Sequence, residues 1–286
     1  MELVGRSSEA LAAVKNRVKS ALKLPVRMVR RCLSGRQVVK VHAAVRGGNI
    51  LYLWQEMFLR DQRGTRAVVT STAAMQPWLD EFPLLRPLTI DEADMNLLDE
   101  QLFMYPRRPG VDFALGENSR FCRALVASSP RFRGRRERLA DVISDDTCVV
   151  NVRRGDYYTV PANEARFGLD IVKHIERALH MVRRADRPVE DIVVISDDVQ
   201  WCIENLSGLL GEFRVLEERT DMFDDLAALS SARTVILANS TFSYWGAFLA
   251  EAFHPETMVI APPSHERDSG GAPLTLEFSP RWVRTT

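Results

Sequence analysis

Hydrophobic spacing divides the chain into stretches of unequal legibility. Within residues 1–36, Leu11, Val14, Val18 and Leu22 recur at helical intervals, and Pro25 interrupts the pattern. From residue 37 the period changes. Val38 to Val45 is a largely apolar run that predicts a strand, Arg46-Gly47-Gly48-Asn49 predicts a tight turn, and Ile50 to Arg60 predicts a helix whose apolar face carries Leu51, Trp54, Met57 and Phe58. Ala67 to Thr70 reads as a second strand. Beyond it Pro77, Pro83, Pro87, Pro106, Pro109 and Pro130 break the pattern, and the basic run Arg131 to Arg138 leads into an interdomain connection placed within 131–145.

The second half alternates more clearly. Thr147 to Val152 and Asp191 to Ser196 read as strands, with shorter ones at Phe213 to Leu216, Thr234 to Leu237 and Thr257 to Ile260. Helical spacing lies between them, over Gly168 to Arg184, Val199 to Leu206, Asp224 to Ala232 and Tyr244 to Phe253. Such alternation builds a parallel sheet covered on both faces. The expected fold is α/β, with a unit over 37–135, a second over 136–286, and a cleft between them.

Composition narrows the chemistry. The 286 residues are 46% hydrophobic and 27% charged, a globular profile, and the zero formal net charge argues against a global electrostatic grip on nucleic acid. Positive charge is local instead: Lys15, Arg17, Lys19, Lys23, Arg27, Arg30, Arg31 and Arg36 surround the N-terminal apolar stripe. That segment reads equally as an interfacial helix drawn to an anionic membrane surface or as a helix packed on the body with a solvated basic face. Cys32, Cys122, Cys148 and Cys202 show neither zinc-ligand nor disulfide-framework spacing, which fits a reducing compartment. With no apolar run of about 18 residues and no signal-peptide centre, the expected location is cytoplasmic, peripheral at the inner face of the membrane if the basic segment binds lipid.

Charge also collects where apolar runs end. Val149-Val150 leads into Asn151, Arg153, Arg154 and Asp156; Ile192 to Ile195 ends in Ser196-Asp197-Asp198; Val235 to Leu237 ends in Asn239, Ser240, Thr241, Phe242 and Ser243. Ligands of open parallel sheets bind outside these carboxyl ends, where helix N-termini direct N–H groups at them. Guanidiniums that fork onto phosphate, hydroxyls before a helix, and a carboxylate such as Asp225 that accepts from a guanine edge suit a nucleoside diphosphate. Each alone has a plainer reading, because adjacent arginines commonly form surface ion pairs and Asp-Asp after a strand commonly caps a helix.

Taken in order, the stretches N-V-R-R-G-D-Y from Asn151, I-S-D-D-V-Q-W-C from Ile195, D-L-A-A-L-S-S from Asp225 and I-L-A-N-S-T-F-S-Y-W-G-A-F-L from Ile236 resemble the ordered motifs of the alpha-1,2-fucosyltransferase family. The resemblance covers about residues 147–263; Gly47, Gly48 and Asn49 look like a shortened form of the family's glycine loop. It implies two Rossmann-like domains of the GT-B architecture, a GDP-fucose donor, a glycan or glycolipid acceptor and no metal or other cofactor. It further implies that Arg153 holds the donor pyrophosphate, Arg154 braces the loop, Asp225 reads guanine, and Ser240, Thr241 and Ser243 line phosphate or ribose. Asn239, Phe242 and Asp197 fall in the same donor-side stretches. Asn151 stands where the family has His, and Asn is neither acid nor base near neutral pH. Asp156 is the leading candidate for the base; its plainer role is to pair with Arg154. The implied reaction is an inverting transfer of fucose to a glycan hydroxyl, in alpha-1,2 linkage. Transfer from another nucleotide sugar and a catalytically silent sugar-nucleotide binder are the alternatives. An NAD-dependent oxidoreductase is disfavoured, since no G-x-G-x-x-G follows the first strand. Trp201 and Trp245, both in helical patterns, read as core or cleft wall.

Overall fold

The computed structural model describes residues 36–103, 112–185, 187, 189–216, 219–274 and 278–286. The N-terminal stripe and its basic residues up to 35 therefore lie outside the described residues. Arg36, grouped with them on sequence, is instead the first residue of a strand, and its guanidinium is paired with the buried Asp99.

The first unit is a parallel sheet of β1 (Arg36–Val39), β2 (Arg66–Thr70), β3 (Thr89–Ile90) and β4 (Glu100–Leu102) in the order β3-β2-β1-β4. β1 is shorter than its apolar run because pairing to β2 and β4 stops at Val39. Beyond it the Val41 N–H turns to the hydroxyl of Thr70, 2.9 Å away, and the chain enters a turn. Helix α1 (Gly48–Gln62) then crosses back, buried from Ile50 to Leu59 with Trp54 and Met57 at its core. After the short α2 (Gln76–Glu81) come α3 (Leu115–Ser128) and α4 (Pro130–Arg138). The expected connection at 131–145 is thus mostly helix, and the basic run is α4 itself.

The second unit is a six-stranded parallel sheet in the order β12-β9-β8-β5-β6-β7. β5 (Thr147–Val152) and β6 (Asp191–Ser196) match their apolar runs residue for residue, while β7 (Arg214–Val215), β8 (Thr234–Ile236), β9 (Met258–Ala261) and β12 (Val283–Arg284) are short. A small antiparallel pair, β10 (Glu266–Arg267) with β11 (Pro273–Leu274), precedes β12. The intervening helices are α5 (Gly155–Thr159), α6 (Pro161–Phe167), α7 (Ile171–Arg184), α8 (Val199–Leu210), α9 (Met222–Ser231) and α10 (Thr241–Phe253). Three expected helix starts in this unit move, that of α7 from Gly168 to Ile171, where Asp170 caps it. α9 begins at Met222 because Asp221 caps it and Asp224 completes a capping box, and α10 begins at Thr241 rather than Tyr244, placing Ser243 inside its first turn.

Alternation along β5 shows how the layers form. Val149 faces one apolar core, whereas Cys148, Val150 and Val152 face another with Ile175, Leu179 and Cys202. The first of these cores runs on into the other unit, joining Val149 and Trp245 to Trp54, Trp78 and Phe121. α10 is the shared element, buried along nearly all its length and packed on both α1 and α3. The two α/β units, each built on a parallel sheet, therefore meet through one continuous core. No helix among the described residues is long and apolar enough to cross a membrane.

Candidate active site

The rim of the second sheet is built outward from β5. Asn151, the last but one residue of the strand, donates from Nδ2 to the Ile195 carbonyl on β6 at 3.2 Å. Two residues on, Arg153 lies half-exposed between two carboxylates, 2.7 Å from Asp197 Oδ2 and 2.5 Å from Asp156 Oδ1. Asp156 therefore pairs with Arg153 and not with Arg154. The Arg154 guanidinium bonds Asp198 at 3.0 Å and lies over the rings of Tyr158 and Trp201, while its backbone N–H donates to Asp197 Oδ1 at 2.8 Å. One carboxylate, Asp197, thus sets both the loop backbone and the Arg153 side chain. Gly155 permits this closeness: a Cβ there would stand 2.6 Å from Asp197 Oδ2, and its φ of 23° disfavours any side chain.

Asp198, beside Asp197, caps α8 through the Trp201 N–H at 3.1 Å. Trp201 is half-buried against Arg154, while Trp245 is fully buried in the core.

The loop after β8 is held from within. Asn239 is buried, and its amide donates to the carbonyls of Phe167 at 2.7 Å and His265 at 3.1 Å, tying the loop to the end of α6. Tyr157 stacks on Phe167 at a centroid distance of 4.7 Å, and burial pushes its phenol up to about 12. Ser240 occupies the N-cap position without a side-chain cap bond, and the Ser243 hydroxyl is buried with no hydrogen-bond partner. Thr241 and Phe242 meet the other unit: a Cβ on Gly48 would lie 2.5 Å from the Thr241 carbonyl carbon and oxygen and 2.8 Å from Phe242 N. Gly47, with φ 54°, makes the turn into α1, and Asn49 is exposed on its first turn.

Asp225 lies in the first turn of α9, 5% exposed. Its Oδ2 is 2.6 Å from Arg219, whereas its Oδ1 is buried with no partner. Burial drives its acidity down, to a pKa of about 7, against the opposing pull of Arg219 and with help from Asp224 and Asp221. Buried polar atoms are normally hydrogen-bonded, and this carboxylate oxygen can accept from an N–H donor.

These rim segments fall within residues 125–284, which match the family model described as Glycosyl transferase family 11. The chain belongs to glycosyl transferase family 11. Three relatives are similar to part of the chain. The O-antigen biosynthesis glycosyltransferase WbnK of Escherichia coli is 28% identical over 134 residues, 46% of this chain and 43% of that protein. An alpha-1,2-colitosyltransferase of Escherichia coli is 31% identical over 155 residues, 51% of this chain and 50% of that one. Galactoside alpha-(1,2)-fucosyltransferase 1 of Lagothrix lagotricha is 32% identical over 104 residues, 35% and 28% of the two chains. This family 11 chain thus spans half or less of the length of these curated relatives.

Two features of this family 11 site escaped sequence reasoning. Arg219 stands between recognisable stretches and has no local signal. Arg135, from the basic run, is buried at 2% exposure and bonds Glu81 of the first unit together with Asp221 and Asp224 at the start of α9, at 2.7–3.3 Å. Burial pushes the Asp224 carboxyl up, but hydrogen bonds from the Thr220 hydroxyl and N–H, and then from Arg135, hold it down at about 2. The D-x-x-D spacing of Asp221 and Asp224 is a local capping signal that the expected helix start at Asp224 passed over; their shared cation has no local signal.

Proposed function

We propose that this glycosyltransferase moves fucose from GDP-fucose to a hydroxyl of a glycan acceptor, with inversion and in alpha-1,2 linkage, in polysaccharide or glycolipid synthesis. The observation that carries the reading is Asp225: a buried carboxylate with one oxygen unfilled, on the same sheet rim as Arg153 and the α10 N-terminus. Guanine offers adjacent N–H donors to such an oxygen, whereas uracil offers one N–H between two carbonyls. The resemblance of the ordered motifs to alpha-1,2-fucosyltransferases supplies the sugar; the name of the Lagothrix lagotricha relative agrees with it, and that of the alpha-1,2-colitosyltransferase agrees with the linkage alone.

In an inverting transfer the acceptor hydroxyl attacks the anomeric carbon as the nucleotide diphosphate leaves, so negative charge grows on the diphosphate. Arg153 and the N-terminal N–H groups of α10 are the groups of this rim that stabilise it, in the role a divalent cation fills elsewhere. A diphosphate competes with Asp156 for the outer guanidinium nitrogen while Asp197 keeps the other. That exchange frees the Asp156 carboxylate to accept the proton of the acceptor hydroxyl. Asn151, bonded to Ile195, serves in neither step.

Calorimetry with GDP, UDP and ADP tests the base reading, and transfer from GDP-fucose tests the sugar. Preference for UDP would sink the proposal. Asp225→Ala is expected to weaken GDP by about 1–3 kcal/mol. The basic N-terminal segment, in this reading, brings the enzyme to a lipid-linked acceptor. Full-length protein should then pellet with anionic vesicles and release as salt rises, and a chain starting at Gln37 should not pellet.

A further inference from the structure

We infer that Arg219 is a positioning residue for the donor base, fixing the Asp225 carboxylate so that Oδ1 stays open to the purine edge and tying that acceptor to the strand end that holds Arg153. The inference rests on the base-reading role of Asp225. Arg219 uses two arms of its guanidinium: NH2 lies 2.6 Å from Asp225 Oδ2, and NH1 donates to the Ser196 carbonyl at 3.0 Å. Ser196 ends β6, and the next residue, Asp197, holds Arg153 and the Arg154 N–H. One side chain therefore spans the distance from the base acceptor to the pyrophosphate arginine's anchor.

The charges around Asp225 show why this contact matters. Asp224 and Asp221 on the same helix end add like charge, but their cations are already committed. Arg135 divides itself among Glu81, Asp221 and Asp224; Arg138 lies on Asp224, and Arg131 lies on Glu81 and Asp221. Among the described residues, Arg219 is the cation paired to Asp225. A carboxylate this deeply buried takes up a proton when its cation is removed, and a protonated carboxyl no longer accepts two N–H donors. With Arg219 present the carboxyl titrates near 7, so loss of the guanidinium moves it upward. Lysine keeps charge but not the planar fork that reaches carboxylate and carbonyl together.

Calorimetric titration of the full chain with GDP and UDP, from about pH 5.5 to 8.5, tests this. The wild type should prefer GDP, with affinity falling as pH drops through about 7. Arg219→Met should lose about tenfold in GDP affinity at neutral pH, move the midpoint of the pH profile upward and leave UDP unchanged. Arg219→Lys should restore part of the affinity and part of the profile. Arg219→Met leaves the buried Asp225 carboxyl without its cation and should melt below the wild type, whereas Arg219→Lys keeps the charge and should melt closer to it. Unchanged UDP affinity shows that the variant protein titrated is folded. Equal losses for GDP and UDP would place Arg219 on the diphosphate and overturn the inference, as would a weakened GDP site with an unmoved midpoint. A wild type without preference for GDP would instead defeat the base reading itself, and this inference with it.

Discussion

The indole N–H of Trp245 donates to the carbonyl of Gly48 at 2.8 Å, a buried bond between residues 197 positions apart that locks α10 onto the first turn of α1. The same glycine faces the Thr241 backbone so closely that a methyl group cannot enter. Gly48→Ala should therefore displace the α10 N-terminus, cost about 1–3 kcal/mol in urea unfolding and weaken the nucleotide diphosphate. Gly47→Ala meets no atom within 4 Å, so its cost, about 1–3 kcal/mol, comes from the positive φ alone and should leave nucleotide affinity closer to wild type.

Arg135→Met should be among the more damaging substitutions. It strands Glu81 and Asp224, both almost fully buried, without their shared cation, and breaking such a pair costs about 3–5 kcal/mol. Arg131→Ala, at a 63% exposed side chain on the same network, should cost no more than about 1 kcal/mol. Chemical denaturation of the two variants side by side separates the buried pair from its rim.

Arg153→Ala should abolish transfer while the melting temperature stays near wild type, since its partners Asp156 and Asp197 are at least partly solvated. Arg153→Lys should recover little, because a point charge cannot grip two oxygens as the guanidinium does. Chelation by EDTA should leave the rate unchanged; a strict requirement for manganese or magnesium would contradict the role given to Arg153.

The contribution of two desolvated histidines to stability should fall in mild acid, partly offset by Asp225, whose raised pKa makes the folded state take up a proton over the same range. His174, buried between the Leu237 carbonyl and the Thr285 hydroxyl, and His265, half-buried beside Tyr244, are both depressed by desolvation to about 4. A histidine whose folded pKa lies below its unfolded value of about 6.5 is held neutral by the fold, so the unfolded state binds the extra proton. The loss begins as pH drops below about 6.5 and is complete near 4, about 3 kcal/mol for each residue. Urea unfolding at neutral pH and near pH 4.5 measures it, and His174→Gln should flatten the dependence.

The sequence by itself determined the parallel strands β5 and β6, the helix that follows the glycine turn, and the set of charged residues at the strand ends. These are short-range facts: an apolar run flanked by charge fixes burial and direction within a few residues, and Thr147–Val152 and Asp191–Ser196 came out with those bounds. Tertiary structure alone decided who partners whom. Asp156 goes to Arg153, Asn239 spends its amide on Phe167 and His265, and Arg219 supplies the cation for Asp225. It also turned an arginine-rich run that read as a connection into α4, a helix whose buried Arg135 reaches Glu81 and Asp224 across 54 and 89 residues of chain. Hydrophobic periodicity cannot announce such a helix, because the charge that makes the segment look exposed is what the carboxylates of both units neutralise once the fold brings them together.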